Sequence, residues 1–257
     1  MAWPEGGISV GDSTYVSASG AVSRLRQLEV VANNLANADT TGFKADRAVF
    51  HAALESALQD PSGRDTPGAA ARIFVTPAQM TTDHTRGGVQ PTGSPLDVAI
   101  QGPGFFAVET PGGVRYTRAG SFGVGRDGNL ATSDGHPVLG EGGPISLGGE
   151  GGRIRSNGDV ANAQGEIVGR IRVVEFEPDA LKGLAKEGGT LFQASAEVVG
   201  VPTDDPQLVE ASLERSNVSP VHEMAVLMLL QRSYDATMQV LQSDDQATEA
   251  LIREVSE

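Results

Sequence analysis

The sequence predicts an α+β protein in which N- and C-terminal α-helices form a coiled-coil-like pair and a central antiparallel all-β domain lies between them in the chain. Three observations predict this class. Apolar residues recur at helical spacing near both ends of the 257-residue chain, short alternating segments fill its middle, and most of the 33 glycines lie in that middle region. A chain of this length can bury a substantial core.

The first helix is predicted over residues 13–38. Its apolar positions step alternately by three and four residues: Ala18, Ala21, Leu25, Leu28, Ala32 and Leu35. A seven-residue repeat with two apolar positions is typical of a coiled-coil seam. The turn-forming sequence Asp-Thr-Thr-Gly at 39–42 then ends the helix.

The last helix is predicted from Pro220 onwards, over up to about 35 residues, because residues 221–257 contain neither glycine nor proline. Asn217 is expected to supply its cap, Pro220 suits the first helical position and Glu223 suits the first turn. The apolar seam comprises Met224, Leu227, Tyr234, Met238 and Leu241. Further apolar residues at 226, 228 and 230 widen this face, so we expect the helix to contact more than one neighbour.

The middle of the chain, residues 73–196, is predicted to form short antiparallel strands. Alternating or β-branched segments predict strands over 96–100, 105–109, 114–117 and 167–176, the last being the longest. Gly112 and Gly113 are expected to join two of them as a tight hairpin. Short strands separated by glycine-rich turns are typical of an antiparallel domain and not of βαβ units.

A near-repeat lies within this region. The segment DGNLA at 127–131, followed by Gly135, resembles NGDVA at 157–161, followed by Gly165, at an offset of 30 residues. Two copies are too few for a solenoid, so we expect repeated hairpins. A calcium loop would need more carboxylates in series and a distal bidentate glutamate.

The composition excludes several classes of function. The net charge of −14 disfavours nucleic acid and anionic membranes as partners. The absence of cysteine excludes disulfides and thiolate sites, and four histidines offer few metal ligands. The segment Gly102–Ala107 fits a dinucleotide fingerprint, but the proline and two glycines at 111–113 prevent the helix that must follow. We therefore expect no catalytic residues, no cofactor and no metal.

The pattern divides the chain into five parts. Residues 1–12 have neither the basic nor the apolar region of a signal peptide, so we expect no cleaved signal. No run approaches the roughly 20 apolar residues of a membrane span. The expected parts are an N-terminal extension (1–12), a discontinuous helical assembly domain (13–42 with 215–257), a connecting segment (43–72), a central β domain (73–200) and a linker (201–214).

Charge is unevenly distributed between the predicted helices. Acidic residues gather near the end of the last helix, whereas Arg24, Arg26, Lys44 and Arg47 cluster on or after the first. Opposite charge could steer the two helices together, or the charges could form ordinary solvated faces. The sequence leaves both interpretations open.

Three motifs together resemble the bacterial flagellar rod, hook and hook-associated protein family. They are VANNLANADTTGFK at 31–44, QGPGFFAV at 101–108 with YTRAGSF at 116–122, and SNVSPVHEM at 216–224 with QRSY at 231–234. Within that family, the length and the single compact middle region are similar to a rod protein and unlike the larger hook protein. The twelve residues before the first predicted helix depart from the family pattern.

The resemblance implies a structural subunit of the flagellar basal-body rod that polymerises helically through its terminal helices and transmits torque for motility. The implied partners are copies of the chain, other rod proteins and the flagellar type III export apparatus, which would deliver it to the periplasm. No nucleic acid, small-molecule substrate or direct membrane insertion is implied. The alternative is a periplasmic or cell-surface β-domain binding protein or enzyme that its helices dimerise.

Candidate assembly residues follow from their positions in the motifs and seams. The helical seams would use Leu25, Leu28 and Leu35 from one helix and Met224, Leu227, Tyr234, Met238 and Leu241 from the other. The amides of Asn33, Asn34 and Asn37, at the helix end, can bond backbone groups or a neighbouring subunit. Gly42 is expected to adopt a positive φ that turns the chain outward, with Phe43 anchoring that turn.

Overall fold

A computed structural model of the chain describes residues 10–49, 52–54, 73–75, 79–149, 151–203 and 205–255. By its internal contacts the chain divides into two compact units. Unit 1 lies within Met1–Asn33, Asp46–Thr81 and Pro220–Glu257, and unit 2 comprises Asn34–Ala45 and Thr82–Ser219.

Two long helices occur where the sequence predicts them. Helix α1 spans Val10–Ala36 and helix α2 spans Pro220–Val255, so Pro220 is the first helical residue, as predicted. Neither described helix is long and apolar enough to cross a membrane. The two helices and the antiparallel strands confirm the α+β class, whereas coiled-coil pairing of the helices stays a prediction.

Unit 1 also contains two short two-stranded sheets. Strand β1 (Asp46–Val49) pairs with β4 (Gln79–Thr82), and β2 (Ala52–Leu54) pairs with β3 (Ile73–Val75). The predicted connecting segment 43–72 therefore contains β1 and β2, and its residues 55–72 lie outside the described part of the chain.

Unit 2 is built from short strands and one 3₁₀ turn, Ala180–Gly183. The strands are β5 (Val89–Pro91), β6 (Val98–Ile100), β7 (Phe105–Thr110), β8 (Gly113–Thr117), β9 (Phe122–Val124), β10 (Leu130–Thr132), β11 (Leu139–Gly140), β12 (Gly143–Pro144), β13 (Gly152–Ile154), β14 (Asp159–Asn162), β15 (Ile167–Arg170), β16 (Val173–Glu175), β17 (Leu184–Glu187), β18 (Leu191–Ala194), β19 (Val201–Pro202), β20 (Leu208–Glu210) and β21 (Ser212–Glu214). The largest sheet has the order β17-β18-β8-β7-β16-β19, and β13-β14-β15 form a second sheet. The remaining strands form two-stranded pairs: β9-β10, β11-β12, β20-β6 and β21-β5.

Two apolar clusters fill unit 2 on opposite sides of β7. Phe106 packs edge-to-face on Phe122 within the larger cluster, which includes Leu130 and Val160. Phe105 belongs to the other cluster. Successive residues of a strand point to opposite faces, so this pair serves both cores. The glycine-rich segment before β7 is thus a bend between β6 and β7.

The longest predicted strand, 167–176, is divided in the structure. Residues 167–170 form β15 in one sheet and 173–175 form β16 in another. The intervening backbone bonds elsewhere: Ile171 N–H donates to Gly158 O (2.9 Å) and Arg172 N–H donates to Leu139 O (3.0 Å). A β-branched run favours extended backbone but does not fix which strand it pairs with, and here the partner changes midway.

Residues 201–214, which we expected to be a linker, instead carry three strands. Strand β19 pairs with β16, β20 pairs with β6 and β21 pairs with β5. The polar sequence with prolines at 202 and 206 suggested a loop, but proline is compatible with the edge position that β19 occupies. The hairpin between β7 and β8 turns at Pro111-Gly112, one residue earlier than predicted.

The predicted repeat is present in the backbone as well as in the sequence. We call residues 121–142 the first repeat and 151–172 the second. Four backbone hydrogen bonds recur at an offset of 30 residues, for example Gly128 N–H to Gly125 O and Gly158 N–H to Arg155 O. Gly128 and Gly158 both have a positive φ (73° and 89°), as such turns require. The repeated hairpins are therefore confirmed.

Candidate functional site

Local hydrogen bonds stabilise the segment that follows α1. The Thr40 hydroxyl donates to Asn37 Oδ1 (3.2 Å), and Asn37 N–H donates to Asn34 O (3.1 Å). Asn34 is buried and Asn33 is exposed. Asn33 and Asn34 lie on the last turns of α1 and Asn37 lies just beyond it, as predicted, and their contact with a neighbouring subunit stays a prediction.

Gly42 occupies a position that a larger residue cannot fill. Its φ is +69°, which confirms the predicted positive value. A Cβ atom built on it would lie 2.2 Å from the backbone nitrogen of Ala119. Its N–H donates to Glu214 O (2.8 Å). The N-terminal motif therefore meets the central motif and the last strand at a point that only glycine permits.

Phe43 is fully buried, in a small apolar cluster with Ala38, Ala45 and Val218. The Lys186 ammonium lies 3.8 Å from the centroid of its ring and donates to Lys44 O (2.6 Å). A cation over an aromatic face at this distance is attractive. These contacts agree with the predicted anchoring role of Phe43.

Next to this turn lies a buried ionic group, which we call the anchor cluster: Lys44, Arg118, Glu214 and Asn217. The Glu214 side chain is 1% exposed, and its carboxylate accepts from Lys44 Nζ (2.6 Å), Arg118 Nη1 (3.2 Å) and the N–H of Gly87 (3.0 Å). Lys44 also donates to Thr85 O (2.7 Å). One carboxylate thus joins segments that are 170 residues apart in the chain.

Both cations of the anchor cluster carry the electrostatic cost of burial. Burial lowers the pKa of Lys44, and Glu214 partly opposes that shift. Burial likewise lowers the pKa of Arg118, again opposed by Glu214. Charges in such a place are tolerated only when they are paired and hydrogen-bonded. Glu214 is therefore essential to the local balance of charge.

Asn217 bridges two backbone segments, at residue 45 and at residues 83–85, and this corrects its predicted role as the α2 cap. Its Oδ1 accepts from Ala45 N–H (2.7 Å), and its Nδ2 donates to Asp83 O (2.8 Å) and to Thr85 O (3.1 Å). The side-chain amide is thus engaged in tertiary bonds. Local sequence favoured the capping role because Asn commonly precedes a helix.

His84 is half-buried beside the anchor cluster. Its ring lies 5.7 Å from that of Phe105 and 5.3 Å from that of Phe192. Burial, together with the nearby charges of Lys44 and Arg118, lowers the pKa of His84 to about 4. In the structure it is neutral at pH 7 and packs against aromatic rings.

The predicted seam residues of α2 lie on two different parts of its surface. Half-buried residues form one stripe, at 223, 226, 227, 230, 233, 234, 237, 238 and 241. The stripe contains four seam residues: Leu227, Tyr234, Met238 and Leu241. Met224 is exposed, as are the apolar side chains of Val221, Met228, Leu229 and Val240. Among the α2 residues whose side chains are described, none is fully buried.

The seam residues of α1 are divided in the same way. Leu28 and Leu35 are half-buried, on the side of the helix that carries the buried Ala21 and Val31. Leu25 is exposed, on the side that carries Val22 and Glu29. Leu25 lies about 60° from Leu28 around the helix axis, in the direction of Val22 and Glu29, so it falls at the exposed border of the half-buried side.

The described residues offer little for catalysis or metal binding. Within the described ranges, no group of three or more His, Asp or Glu side chains is placed to hold a metal ion. A shallow groove with a volume of about 300 Å³ lies along β9 and β10. Its lining carries no titratable side chain: Ser121, Phe122, Gly123, Val124, Gly125, Ala131, Thr132 and Ser133.

Sequence reasoning missed the anchor cluster. Lys44 and Arg118 fall inside the quoted motifs, and Glu214 lies two residues before the third. A lysine and an arginine inside otherwise apolar or small-residue motifs were the available signal. Their shared partner was not identifiable, because no local spacing connects residues 44, 118 and 214.

Comparison with known families identifies the class of the chain. Three family models match it: flagella basal body rod protein over residues 15–44, flagellar hook protein FlgE/F/G D1 domain over 99–191, and flagellar basal body rod FlgEFG protein C-terminal over 209–254. Between them these regions contain Gly42, Lys44, Arg118, Ala119 and Glu214. The chain belongs to the flagellar basal-body rod protein family.

Comparison with individual proteins shows which members of the family the chain is similar to. The flagellar basal-body rod protein FlgF of Caulobacter vibrioides is 36% identical over 232 residues, which cover 90% of this chain and 92% of that protein. FlgF of Salmonella typhimurium is 35% identical and covers 91% and 95%. FlgG of Agrobacterium fabrum is 34% identical and covers 90% and 94%.

Within the family the chain is most like FlgF, as the segment 135–145 (GHPVLGEGGPI) also indicates, and FlgG is the next in similarity. Its relatives are structural proteins of the flagellum and not enzymes. The alternative, a periplasmic or cell-surface β-domain binding protein or enzyme dimerised by its helices, is therefore not favoured.

Proposed function

We propose that this chain is a subunit of the proximal part of the flagellar rod, assembling helically through α1 and α2 with copies of itself and with other rod proteins. In the sequence, unit 2 lies between α1 and α2 and supplies a rigid body. The layer formed by the assembled helices transmits torque. Delivery by the flagellar type III export apparatus, without a cleaved signal, belongs to the same proposal.

The carrying observation is the uncovered apolar surface of α2. Met228 is 59% exposed and Leu229 is 65% exposed, on a helix that also has a half-buried stripe. Leaving such side chains in water forgoes about 1.5–3 kcal/mol each. A helix with apolar residues outside its covered stripe supports contacts with additional helices.

The family relationship supports helical assembly specifically. The relatives named above are basal-body rod proteins, and the similarity extends over both α1 and α2. The predicted seams use Leu25, Leu28 and Leu35 with Met224, Leu227, Tyr234, Met238 and Leu241. Exposed Leu25 and Met224 are suited to contacts between subunits, because their side chains are accessible in the single chain.

The test places an aspartate on this surface. We expect Met228→Asp to abolish swimming in soft agar and incorporation into isolated basal bodies, while the free energy of unfolding changes by less than about 0.5 kcal/mol. A buried charge at an assembled helix interface would be strongly unfavourable.

Val199→Asp is the matched control, since Val199 is 76% exposed but lies in unit 2. It should swim normally. Normal motility and rod incorporation of the Met228→Asp chain would contradict the proposed role of α2.

A further inference from the structure

The two repeats of unit 2 differ in how their third strand is covered. In each repeat a hairpin is followed by an extended segment: 137–140 in the first, and β15 (167–170) in the second. Ala131 pairs with Pro137, and the equivalent Ala161 pairs with Ile167, 30 residues on. The repeats therefore correspond strand by strand, and a difference at equivalent positions is informative.

In the first repeat, strand β7 of the same chain covers the third segment. Val108 of β7 pairs with Val138, and Glu109 N–H donates to Pro137 O (2.8 Å). Val138 is consequently fully buried. In the first repeat, the third segment is thus covered by an extended strand with a β-branched side chain.

In the second repeat, the corresponding positions are open. Ile167 is 57% exposed and Val168 is 36% exposed, and β15 lies at the edge of its sheet. Ala161 pairs with Ile167 and Val160 pairs with Gly169, so Val168 is an extra residue that forms a β-bulge. A bulge at a strand edge interferes with ordinary strand pairing, so side-chain packing is the favoured contact. We call Ile167 and Val168 the knob.

The groove along β9 and β10 in the first repeat is a suitable receptor for the knob. Its lining combines the apolar Val124 and Ala131 with the hydroxyl residues Ser121, Thr132 and Ser133, and Gly123 leaves open space where a Cβ would stand. Its volume of about 300 Å³ is roughly twice that of a core cavity that holds benzene, ~150 Å³. Two branched aliphatic side chains can therefore enter it.

The charges of the two repeats are complementary. The first repeat carries one arginine and three carboxylates, which gives a net charge of −2. The second carries four arginines and two carboxylates, which gives +2. The charged residues are Arg126, Asp127, Asp134 and Glu141 in the first, and Arg153, Arg155, Asp159, Glu166, Arg170 and Arg172 in the second. Opposite potentials favour second-on-first contact and disfavour like-on-like contact.

We propose that the knob of one copy docks into the groove of the next copy of this chain, with the positive second repeat facing the negative first repeat. Because knob and groove are different surfaces, the contact is head-to-tail and can continue from copy to copy along a helical path. The inference rests on the proposed assembly function, which brings copies together, and it adds a contact outside the terminal helices.

Disulfide trapping tests this contact in the full chain, which has no cysteine of its own. One chain carries Val168→Cys and the other, distinguished by a size tag, carries Ser133→Cys in the groove. Under mild oxidation at assembling concentrations, the mixture should give a linked dimer about tenfold above either chain alone. A mixture with Val199→Cys in place of Val168→Cys is the control and should remain at background.

Two results would overturn the proposal. Val168→Cys alone linking as efficiently as the mixture would indicate a two-fold knob-to-knob contact. Equal linkage of the Val199→Cys mixture, or no linkage above background in any mixture, would show that the knob has no preference for the groove.

Charge reversal provides a second readout. Arg153→Glu in the knob-bearing chain should lower the yield about two- to fivefold, and Asp134→Arg in the groove-bearing chain should restore it. Loss without recovery in the paired reversals would contradict the electrostatic part of the proposal.

The same mixtures in a Met228→Asp background separate this inference from the helical assembly. Retained preference for Val168→Cys over Val199→Cys, at lower yield, supports both proposals. Undiminished yield with the same preference would contradict the role of α2 and leave the knob contact standing. If chains with an unmodified α2 show no preference for Val168→Cys over Val199→Cys, the knob contact is contradicted and the role of α2 still stands.

Discussion

Helix α2 and the anchor cluster differ in where their side chains find partners. In the anchor cluster every charge of Lys44, Arg118 and Glu214 is met by a partner within the chain. In α2 the described side chains are at most half-buried, and Met228 and Leu229 face solvent. The difference shows that internal contacts stabilise unit 2, whereas the surface of α2 is suited to contacts with other chains.

The largest effect is expected where the anchor cluster loses its only carboxylate. Glu214→Ala leaves Lys44 and Arg118 buried without their counter-ion, which should lower the free energy of unfolding by about 3–5 kcal/mol. Urea titration followed by circular dichroism measures this change. Asp39→Ala, which removes the exposed partner of the exposed Arg215, should cost less than about 1 kcal/mol. Equal losses in the two variants would refute the distinction between buried and surface pairs.

Gly42→Ala should lower the free energy of unfolding by about 2–4 kcal/mol. The new Cβ would collide with the backbone of Ala119 in addition to the cost of a positive φ. Gly128→Ala is a matched control, because its φ is +73° but nothing lies within 4 Å of the added atom. It should cost only about 1–2 kcal/mol. Thermal unfolding of both variants compares them, and a control as damaging as Gly42→Ala would rule out the collision.

The histidine beside the anchor cluster should make stability depend on pH. The pKa of His84 is about 4 in the folded chain, against 6.5 for an ordinary histidine. The unfolded chain therefore binds this proton more readily, and stability should fall as the pH drops from about 6.5 to about 4. The loss is at most about 3.4 kcal/mol, and less in practice because His84 is only half-buried.

His84→Phe should keep the packing on Phe105 and Phe192 while removing the titrating group. Its free energy of unfolding, measured by urea titration at pH 7 and pH 4, should change less between the two values than that of the unmodified chain. Identical changes in the two chains would show that His84 does not contribute.

The smallest effect is expected on the surface of α2. Leu229→Ala should change the free energy of unfolding by no more than about 0.5 kcal/mol. The same truncation at the fully buried Leu130 should cost about 3–5 kcal/mol. Parallel urea titrations measure both. A large loss at Leu229 would mean that α2 is held by contacts within the chain.

The sequence predicted elements whose signal is local. The periodic apolar positions located α1 and α2 to within a few residues, and Gly42 was correctly assigned a positive φ because a turn sequence ended the helix. The repeat was visible because Gly128 and Gly158 occupy equivalent turns.

Features that depend on distant partners were not predictable in this way. Glu214 appeared to be part of a linker, because nothing near it in sequence shows that Lys44 and Arg118 converge on it. Asn217 was assigned to a helix cap for the same reason. The predicted strand over 167–176 was divided because pairing partners, and not strand propensity, determine where a strand ends.

The distance in sequence between the members of the anchor cluster also determines when the cluster can form. A chain that is still being synthesised contains Lys44 and Arg118 long before it contains Glu214, 170 residues after the lysine. Until then both cations lack this counter-ion, and burying them would be strongly unfavourable. The structure around Gly42 can therefore close only late in synthesis, so the order in which residues are added delays folding of this region until the chain is nearly complete.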